Sequence, residues 1–161
     1  RLPEWVHEAV FQKVLSLAEE RKLLTGRTVA IDATTLEANA AMKSIVRRDT
    51  GESWKEYLQR LAREAGIAEP TEEDLRRFDR KRKRKKVSNR DWESRTDSDS
   101  RITKMKDKRT HLAYKAEHAV DIASDLVLSA TVHPADRGDA DTLGRTLVEA
   151  QVNLMAAGRE R

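Results

Sequence analysis

Asp32 is the residue whose setting most directly suggests chemistry, because it stands inside an uncharged run, residues 28–34, that reads Thr-Val-Ala-Ile-Asp-Ala-Thr. The β-branched residues of this run predict a strand that is buried on both faces. A charged carboxylate in such a strand is costly unless a cation, a metal ion or hydrogen-bond donors accompany it. Asp32 is therefore either a cation ligand or a strand-end residue that caps a turn, and the pattern leaves both interpretations open.

A basic segment over residues 76–90, called the basic strap below, is the second feature that suggests a function. It holds ten Lys or Arg residues and one acid, Asp79, although the net charge of the whole chain is only +4. Basic residues at this density bind nucleic-acid phosphates, but a solvated helix face or linker has the same composition. Asn89 and Trp92 are candidates to contact an unpaired base, with simple packing as the alternative for Trp92. We expect DNA contacts from Arg80, Lys81, Arg82, Lys83, Arg84, Lys85 and Lys86.

The histidines and the remaining acids do not have the spacing of a known site. His111, His118 and His133 are seven and fifteen residues apart, which is not a metal-ligand spacing. His118 is expected to be a hydrogen-bonded core residue, because it falls on the apolar side of a predicted strand. The acids around Asp139 lack the ligand ladder of a calcium loop, so Asp139 or Asp141 is expected to cap a helix.

The composition excludes several classes of protein. Of 161 residues, 38% are hydrophobic, 37% are charged and none is cysteine, which rules out disulfides, thiolate zinc sites and cysteine nucleophiles. The longest run without a charged residue is ten residues, 126–135, whereas a membrane-spanning helix needs about 20. The chain opens without Met and without an apolar signal segment, so we expect it to be a piece of a longer protein.

The spacing of apolar residues predicts helices and a hairpin around the run that contains Asp32. Residues 88–100 are rich in Ser, Asp, Asn and Arg, and they are predicted to form a loop. The predicted helices cover residues 4–24, 53–66, a segment that begins at Thr71 and runs into the basic strap, and 141–157. The predicted strands cover residues 28–34, 111–120 and 126–133, the last two forming an antiparallel hairpin.

The same spacing predicts which faces are buried. Along the hairpin, Leu128 and the residues in phase with it form the apolar side, whereas Lys115 and Glu117 point to the opposite side. The expected buried stripe of the first helix is Val6, Val10, Val14, Leu17 and Leu24, widened by Phe11 and Ala18. That of the last helix is Leu143, Leu147, Ala150 and Leu154.

These segments together resemble a known family. Residues 29–40, Val-Ala-Ile-Asp-Ala-Thr-Thr-Leu-Glu-Ala-Asn-Ala, resemble the strand that carries the first catalytic carboxylate in DDE transposases of bacterial insertion sequences. Four further segments resemble parts of the same family in the same order, and the resemblance covers roughly residues 5–157. These segments are residues 44–53, residues 85–89 with Trp92, residues 114–121 and residues 131–139.

The resemblance implies an α/β fold with an incomplete ribonuclease H-like mixed sheet, formed by the buried first strand, the hairpin and a covering helix. It divides the chain into a helical lead-in, a partial core and a helical, basic insertion. The lead-in covers residues 1–26, the core covers 27–36 with 108–158, and the insertion covers 37–107.

The resemblance also implies a function, namely metal-dependent cleavage and transfer of DNA strands during transposition. Asp32 is then the catalytic residue and the shared ligand of two Mg²⁺ or Mn²⁺ ions, and Asp139 is an accessory candidate. The second Asp and the Glu are expected beyond residue 161, so residues 1–161 alone are expected to be inactive. The expected partner is double-stranded DNA, both element ends and target, bound by a homo-oligomer in the bacterial cytoplasm at the nucleoid.

Two other functions are compatible with the residues. The first is a non-catalytic DNA-binding module that acts through the basic strap, with Asp32 only structural. The second is a helical scaffold protein, which the predicted hairpin disfavours.

Overall fold

The computed structural model of the protein describes residues 2–83, 85 and 87–159. Arg84 and Lys86, two of the predicted DNA contacts, lie outside the described residues. None of the helices in these ranges is long and apolar enough to cross a membrane. The elements in chain order are α1 (Glu4–Glu20), β1 (Val29–Glu37), β2 (Ile45–Arg47), α2 (Trp54–Glu64), α3 (Glu72–Lys81), β3 (Trp92–Ser94), β4 (Arg101–Lys104), β5 (Thr110–Asp121), β6 (Leu126–Pro134) and α4 (Asp139–Ala156).

The fold is a mixed α/β structure built on β5, which pairs with β1, β4 and β6 in a four-stranded antiparallel sheet. The predicted hairpin is confirmed as β5 and β6. A separate two-stranded sheet joins β2 and β3, with Val46 opposite Glu93. The predicted loop over 88–100 was wrong at β3, since a strand of three residues is too short to show an alternating pattern.

The chain divides into two compact units. Unit 1 contains residues 1–36, 115–133 and 137–161, and unit 2 contains residues 37–114 and 134–136. Unit 1 has ten basic and twelve acidic residues, a net charge of −2, whereas unit 2 has 22 basic and 16 acidic residues, a net charge of +6.

The core of unit 1 is small and aliphatic. Leu15 and Ala18 of α1, Ala119 of β5 and Leu154 of α4 form one buried cluster. The predicted helix α1 is confirmed, but it ends at Glu20 rather than at residue 24. The predicted stripes were wrong in part, because four of their members are exposed to solvent. These exposed residues are Val10 and Val14 of α1 and Leu143 and Leu147 of α4.

The helices of unit 2 begin where the sequence predicts them. Ser53 caps α2 through a reciprocal pair of hydrogen bonds with Glu56, and Thr71 caps α3 in the same way with Asp74. Leu58, Ala62 and Leu75 pack between these two helices. The helix predicted to begin at Thr71 is thus confirmed, and it ends inside the basic strap at Lys81.

The prediction that β1 is buried on both faces was wrong. Val29, Ile31 and Ala33 are half-buried, while Ala30, Asp32 and Thr34 are exposed, so the strand alternates instead. The physical reason is its place in the sheet, since β1 stands at the end of the strand order and pairs there with β5. The cost of a buried charge therefore does not apply to Asp32 in this structure.

Candidate functional site

A pocket of about 170 Å³ in unit 1 brings Asp32 together with two other carboxylates. Asp32 contributes from β1, Glu117 contributes from β5, and Asp139 contributes from the first turn of α4. The remainder of the lining is apolar and consists of Ile31, Ala33, Ala140 and Leu143. The pocket thus combines an exposed carboxylate, a buried carboxylate and a helix N-terminus.

Lys115 links two of these carboxylates. Its Nζ lies 2.8 Å from Glu117 Oε1 and 2.6 Å from Asp139 Oδ1, and it donates to Thr142 Oγ1 at 2.8 Å. Lys115 is 5% exposed and Glu117 is 1% exposed, so this ion pair is buried, whereas the Asp139 side chain is 88% exposed. Buried charges of this kind persist only when their hydrogen-bonding capacity is satisfied.

Threonines of α4 complete the hydrogen bonding of Glu117. Thr142 donates to Oε1 of this carboxylate, and Thr146 donates to Oε2 at 2.6 Å. Residues 142 and 146 are four apart, which places both hydroxyls on one face of the helix. The buried face of α4 is therefore set partly by polar contacts, which explains why the predicted apolar stripe was displaced.

The network continues into β6 through groups whose donor roles can be assigned. The hydroxyl of Thr146 donates to the Glu117 carboxylate, so it must accept from Thr131 Oγ1, 2.8 Å away. Thr131 in turn accepts from His133 Nε2 at 2.8 Å, which requires a proton on that nitrogen. His133 is 4% exposed and its Nε2 lies 3.5 Å from Glu117 Oε2.

The electrostatics of the network favour charged forms. Burial raises the pKa of Glu117, but hydrogen bonds from Lys115, Thr142 and Thr146 outweigh it and hold the pKa well below its usual range. Burial lowers the pKa of Lys115, yet its contacts with Asp139 and Glu117 leave the pKa raised. Glu117 and Lys115 are therefore both ionised at neutral pH.

Asp139 does not cap α4, contrary to one of the two predicted alternatives. The N-cap residue is Gly138, whose N–H donates to Asp141 Oδ2 at 3.3 Å. Asp141 is thus the capping acid, and the carboxylate of Asp139 is free to pair with Lys115.

The capacity of the pocket for a divalent cation depends on which oxygens are free. Both oxygens of Glu117 are occupied by Lys115 and threonines, and Asp139 is paired with Lys115. Asp32 is exposed, and a single carboxylate with waters and substrate oxygens is a donor set that Mg²⁺ accepts. Within residues 2–83, 85 and 87–159, no cluster of three or more His, Cys, Asp or Glu side chains is arranged to hold a metal ion.

In the described part of the basic strap, some basic side chains pack or form ion pairs and others are exposed to solvent. Arg82 is half-buried against Trp54 and Tyr57, with its guanidinium carbon 5.6 Å from each ring centroid, and it pairs with Asp79 at 3.1 Å. Lys85 lies 3.7 Å from the same carboxylate. Arg80, Lys81 and Lys83 are exposed, and the described residues include no ion pair with any of them.

Trp92 and Asn89 have structural roles in unit 2. Trp92 is 2% exposed and lies 5.1 Å from the ring centroids of both Trp54 and Tyr57. The amide of Asn89 bonds to the backbone of Ile102, accepting from its N–H at 2.7 Å and donating to its carbonyl at 3.0 Å. Of the two interpretations of Trp92, base contact and packing, the buried position in this structure agrees with packing.

The three histidines of β5 and β6 occupy three different environments. His118 is exposed, so its expected place in the core was wrong. His111 lies between Glu37 and Asp107, with Nδ1 at 2.7 Å from the first carboxylate and Nε2 at 2.8 Å from the second. His133 belongs to the buried network described above.

Sequence reasoning missed the buried network because it treated the polar side of the hairpin as solvated. The signal that could have revealed it is threefold. Lys115 and Glu117 alternate on β5, polar residues alternate on β6, and Thr142 and Thr146 repeat at a spacing of four on the helix that follows. Polar positions that coincide on three packed elements indicate a buried polar layer rather than three solvated faces.

Comparisons of the chain with protein-family models, with curated proteins and with solved structures gave no match.

Proposed function

We propose that this chain belongs to a DDE transposase with a ribonuclease H-like catalytic sheet, which cleaves DNA strands and transfers them in a metal-dependent reaction. The observation that carries the proposal is the pocket that Asp32 of β1 and Asp139 at the start of α4 both line. The motifs over residues 29–40 and 131–139 support it, because they provide these two acids. The proposal includes duplex DNA as the substrate and a homo-oligomer as the active form.

The topology of the sheet supports the same proposal. A first strand, an antiparallel hairpin beside it and a helix after the hairpin are the parts that the resemblance implies. In this chain β1 pairs with β5, β5 pairs with β6, and α4 follows. A sheet buries its apolar face when helices pack against it. The resemblance implies further strands and helices that would complete this sheet.

Asp32 is the residue that would hold a divalent cation, with Asp139 as an accessory ligand. Its exposed carboxylate fits a hard cation that keeps several waters and shares a substrate phosphate. When bound, such a cation would stabilise the charge that develops on phosphodiester oxygens. The proposal requires a second Asp and a Glu, which the resemblance places C-terminal to residue 161.

The proposal is tested by the substitution Asp32→Asn in the complete protein. The expected result is that DNA strand cleavage falls to background, because the amide cannot replace an anionic ligand, while the affinity for duplex DNA is unchanged. Asp125→Asn is the matched control, since Asp125 is exposed in the hairpin turn of the same unit. Cleavage by Asp32→Asn at the rate of the control would contradict the proposal.

A second candidate function is a non-catalytic DNA-binding module that acts through the basic strap. The net charge of +6 on unit 2 and the exposure of Arg80, Lys81 and Lys83 favour it. Under this alternative Asp32→Asn would affect stability only, and no cleavage would be found for the unsubstituted protein. The same experiment therefore separates the two functions.

A further inference from the structure

The turn between β4 and β5, called the hairpin tip below, is a second basic cluster in unit 2. Residues 104–109 read Lys-Met-Lys-Asp-Lys-Arg, with four basic residues and one acid. All four basic residues are exposed: Lys104, Lys106, Lys108 and Arg109. The tip is separate in sequence from the basic strap, and the catalytic proposal makes no use of it.

The backbone of the hairpin tip is held in one conformation. Lys104 pairs with Thr110 at the end of the β4–β5 ladder, and Met105 N–H donates to Arg109 O at 3.0 Å. Lys108 N–H donates back to Met105 O at 2.9 Å, and Arg109 N–H donates to Asp107 Oδ1 at 2.8 Å. An ordered turn loses little further backbone entropy when it binds a partner.

The one acid of the tip is engaged by a neighbouring side chain. Asp107 Oδ2 lies 2.8 Å from His111 Nε2, and the other ring nitrogen of His111 faces Glu37 at 2.7 Å. These contacts raise the pKa of His111, and they engage the Asp107 carboxylate within unit 2. The basic side chains are consequently left as the dominant exposed charges.

A pair of hydrogen bonds connects the hairpin to the end of the basic strap. Asn89 lies one residue before Arg90, the last basic residue of the strap, and its amide bonds to both backbone groups of Ile102 in β4. Ile102 is two residues from Lys104, where the hairpin tip begins. Residue 89 of the strap is thus hydrogen-bonded to β4, the strand that leads into the hairpin tip.

We propose that the hairpin tip is a second DNA-binding element, which contacts the phosphates of duplex DNA beside the basic strap. The inference rests on the proposed function, in which DNA is the substrate. Half or more of the hydrogen bonds from proteins to duplex DNA go to phosphates and sugars, and Lys and Arg are among the donors, so an exposed basic turn suits the DNA backbone. An anionic membrane is the less suitable partner, because the tip has no exposed apolar residue and Met105 is half-buried.

The test compares three variants that each remove three positive charges. The hairpin variant is Lys104→Gln, Lys106→Gln and Arg109→Gln, which leaves Lys108 with its positive φ in place. The strap variant is Arg80→Gln, Lys81→Gln and Lys83→Gln. The control variant is Lys13→Gln, Arg27→Gln and Arg145→Gln, which are exposed residues of unit 1.

The measurement is the affinity of each variant for a duplex of about 30 base pairs as a function of KCl concentration, by fluorescence anisotropy. We expect the hairpin variant to bind about tenfold or more weakly than the control variant. We also expect the slope of log affinity against log salt to shrink by about 0.9 for each phosphate contact that is lost. Circular dichroism and thermal melting establish that all three variants are folded.

The other outcomes distinguish failure of this inference from failure of the proposed function. If the strap variant weakens binding while the hairpin variant equals the control, the inference is overturned and the proposed function stands. If the unsubstituted protein does not bind the duplex, both the inference and the DNA substrate of the proposed function are overturned. If the hairpin variant loses affinity only for vesicles of anionic phospholipid and not for the duplex, the partner is a membrane and the inference is overturned.

Discussion

Lys115 and Glu117 are adjacent on one side of β5, and their burial changes how the polar residues around them are interpreted. A lysine at 5% exposure and a glutamate at 1% exposure form an ion pair whose remaining hydrogen bonds come from threonines of α4. Replacing such a pair by apolar residues is often neutral or stabilising, so stability alone does not explain it. Its position beside the pocket that contains Asp32 suggests that it orients Asp139.

His111 makes a pH-dependent contribution at the end of β1. Hydrogen bonds that its ring donates to the carboxylates of Glu37 and Asp107 raise its pKa above the ordinary value of 6.5. The stability that it contributes is therefore fully present below pH 6.5 and is lost as the pH rises through the raised pKa. We expect an NMR titration of the His111 ring to give a pKa above 6.5, lowered by either Glu37→Gln or Asp107→Asn. A titration that neither substitution alters would contradict the two contacts.

Asp121 shows the opposite arrangement in unit 1, since this buried carboxylate has no basic partner among the residues that the structure describes. It accepts hydrogen bonds from Thr25 N–H at 2.6 Å and from Thr25 Oγ1 at 2.8 Å, with further donors from Gly26, Ala123 and Ser124. Burial raises its pKa, but these donors outweigh burial and bring the pKa to about 2. Asp121 therefore fixes the β5–β6 turn against the segment before β1, which is a structural role.

The packing of α4 on β5 and β6 depends on polar contacts, and this can be measured. Lys115→Met leaves Glu117 buried without its cation, so we expect the free energy of unfolding to fall by about 3 kcal/mol. The double variant Lys115→Met with Glu117→Gln removes both charges, and we expect it to recover most of this loss. Urea unfolding gives the three values, and Lys13→Met on the exposed face of α1 is the control, with an expected change within about 0.5 kcal/mol. A loss for Lys115→Met no larger than that of the control would show that the pair is not energetically coupled.

Elements with strong local signals could be predicted from the sequence. The starts of α2 and α3, capped by Ser53 and Thr71, are predictable because capping requires only residues within one turn. The hairpin is predictable because apolar and polar residues alternate over residues 114–117 and 128–133, with a short turn between the two runs. The strands β2 and β3 have three residues each and are held by tertiary packing around Trp92. No local sequence pattern therefore predicts them.

The burial of individual faces could not be predicted, because it depends on partners distant in sequence. On β6 the consecutive residues Leu128 and Ser129 are both buried, so the alternation changes phase and polar residues then face α4. Burial at the candidate site was equally unpredictable from the sequence. Asp32 was selected for its apolar neighbours, yet β1 leaves it exposed, whereas Glu117 was assigned to a solvated face and is buried.

The distribution of charge over the whole chain agrees with a division of tasks between its two units. Unit 1 has a net charge of −2 and contains the carboxylate pocket, while unit 2 has a net charge of +6 and contains the basic strap and the hairpin tip. A negative pocket attracts cations and a positive surface attracts the DNA backbone. The proposed function therefore assigns cation binding to unit 1 and DNA binding to unit 2.

The most direct test of this account is a titration of the ¹⁵N-labelled protein with Mn²⁺, followed by amide NMR, because a paramagnetic ion broadens nearby signals even when it binds weakly. We expect selective broadening of the amides of Ile31, Asp32 and Ala33 and of those at Asp139 and Ala140, which line the same pocket. The broadening should disappear in Asp32→Asn and persist in Asp125→Asn. Unchanged signals in this pocket, or broadening that Asp32→Asn leaves intact, would contradict the claim that the Asp32 carboxylate binds the divalent cation.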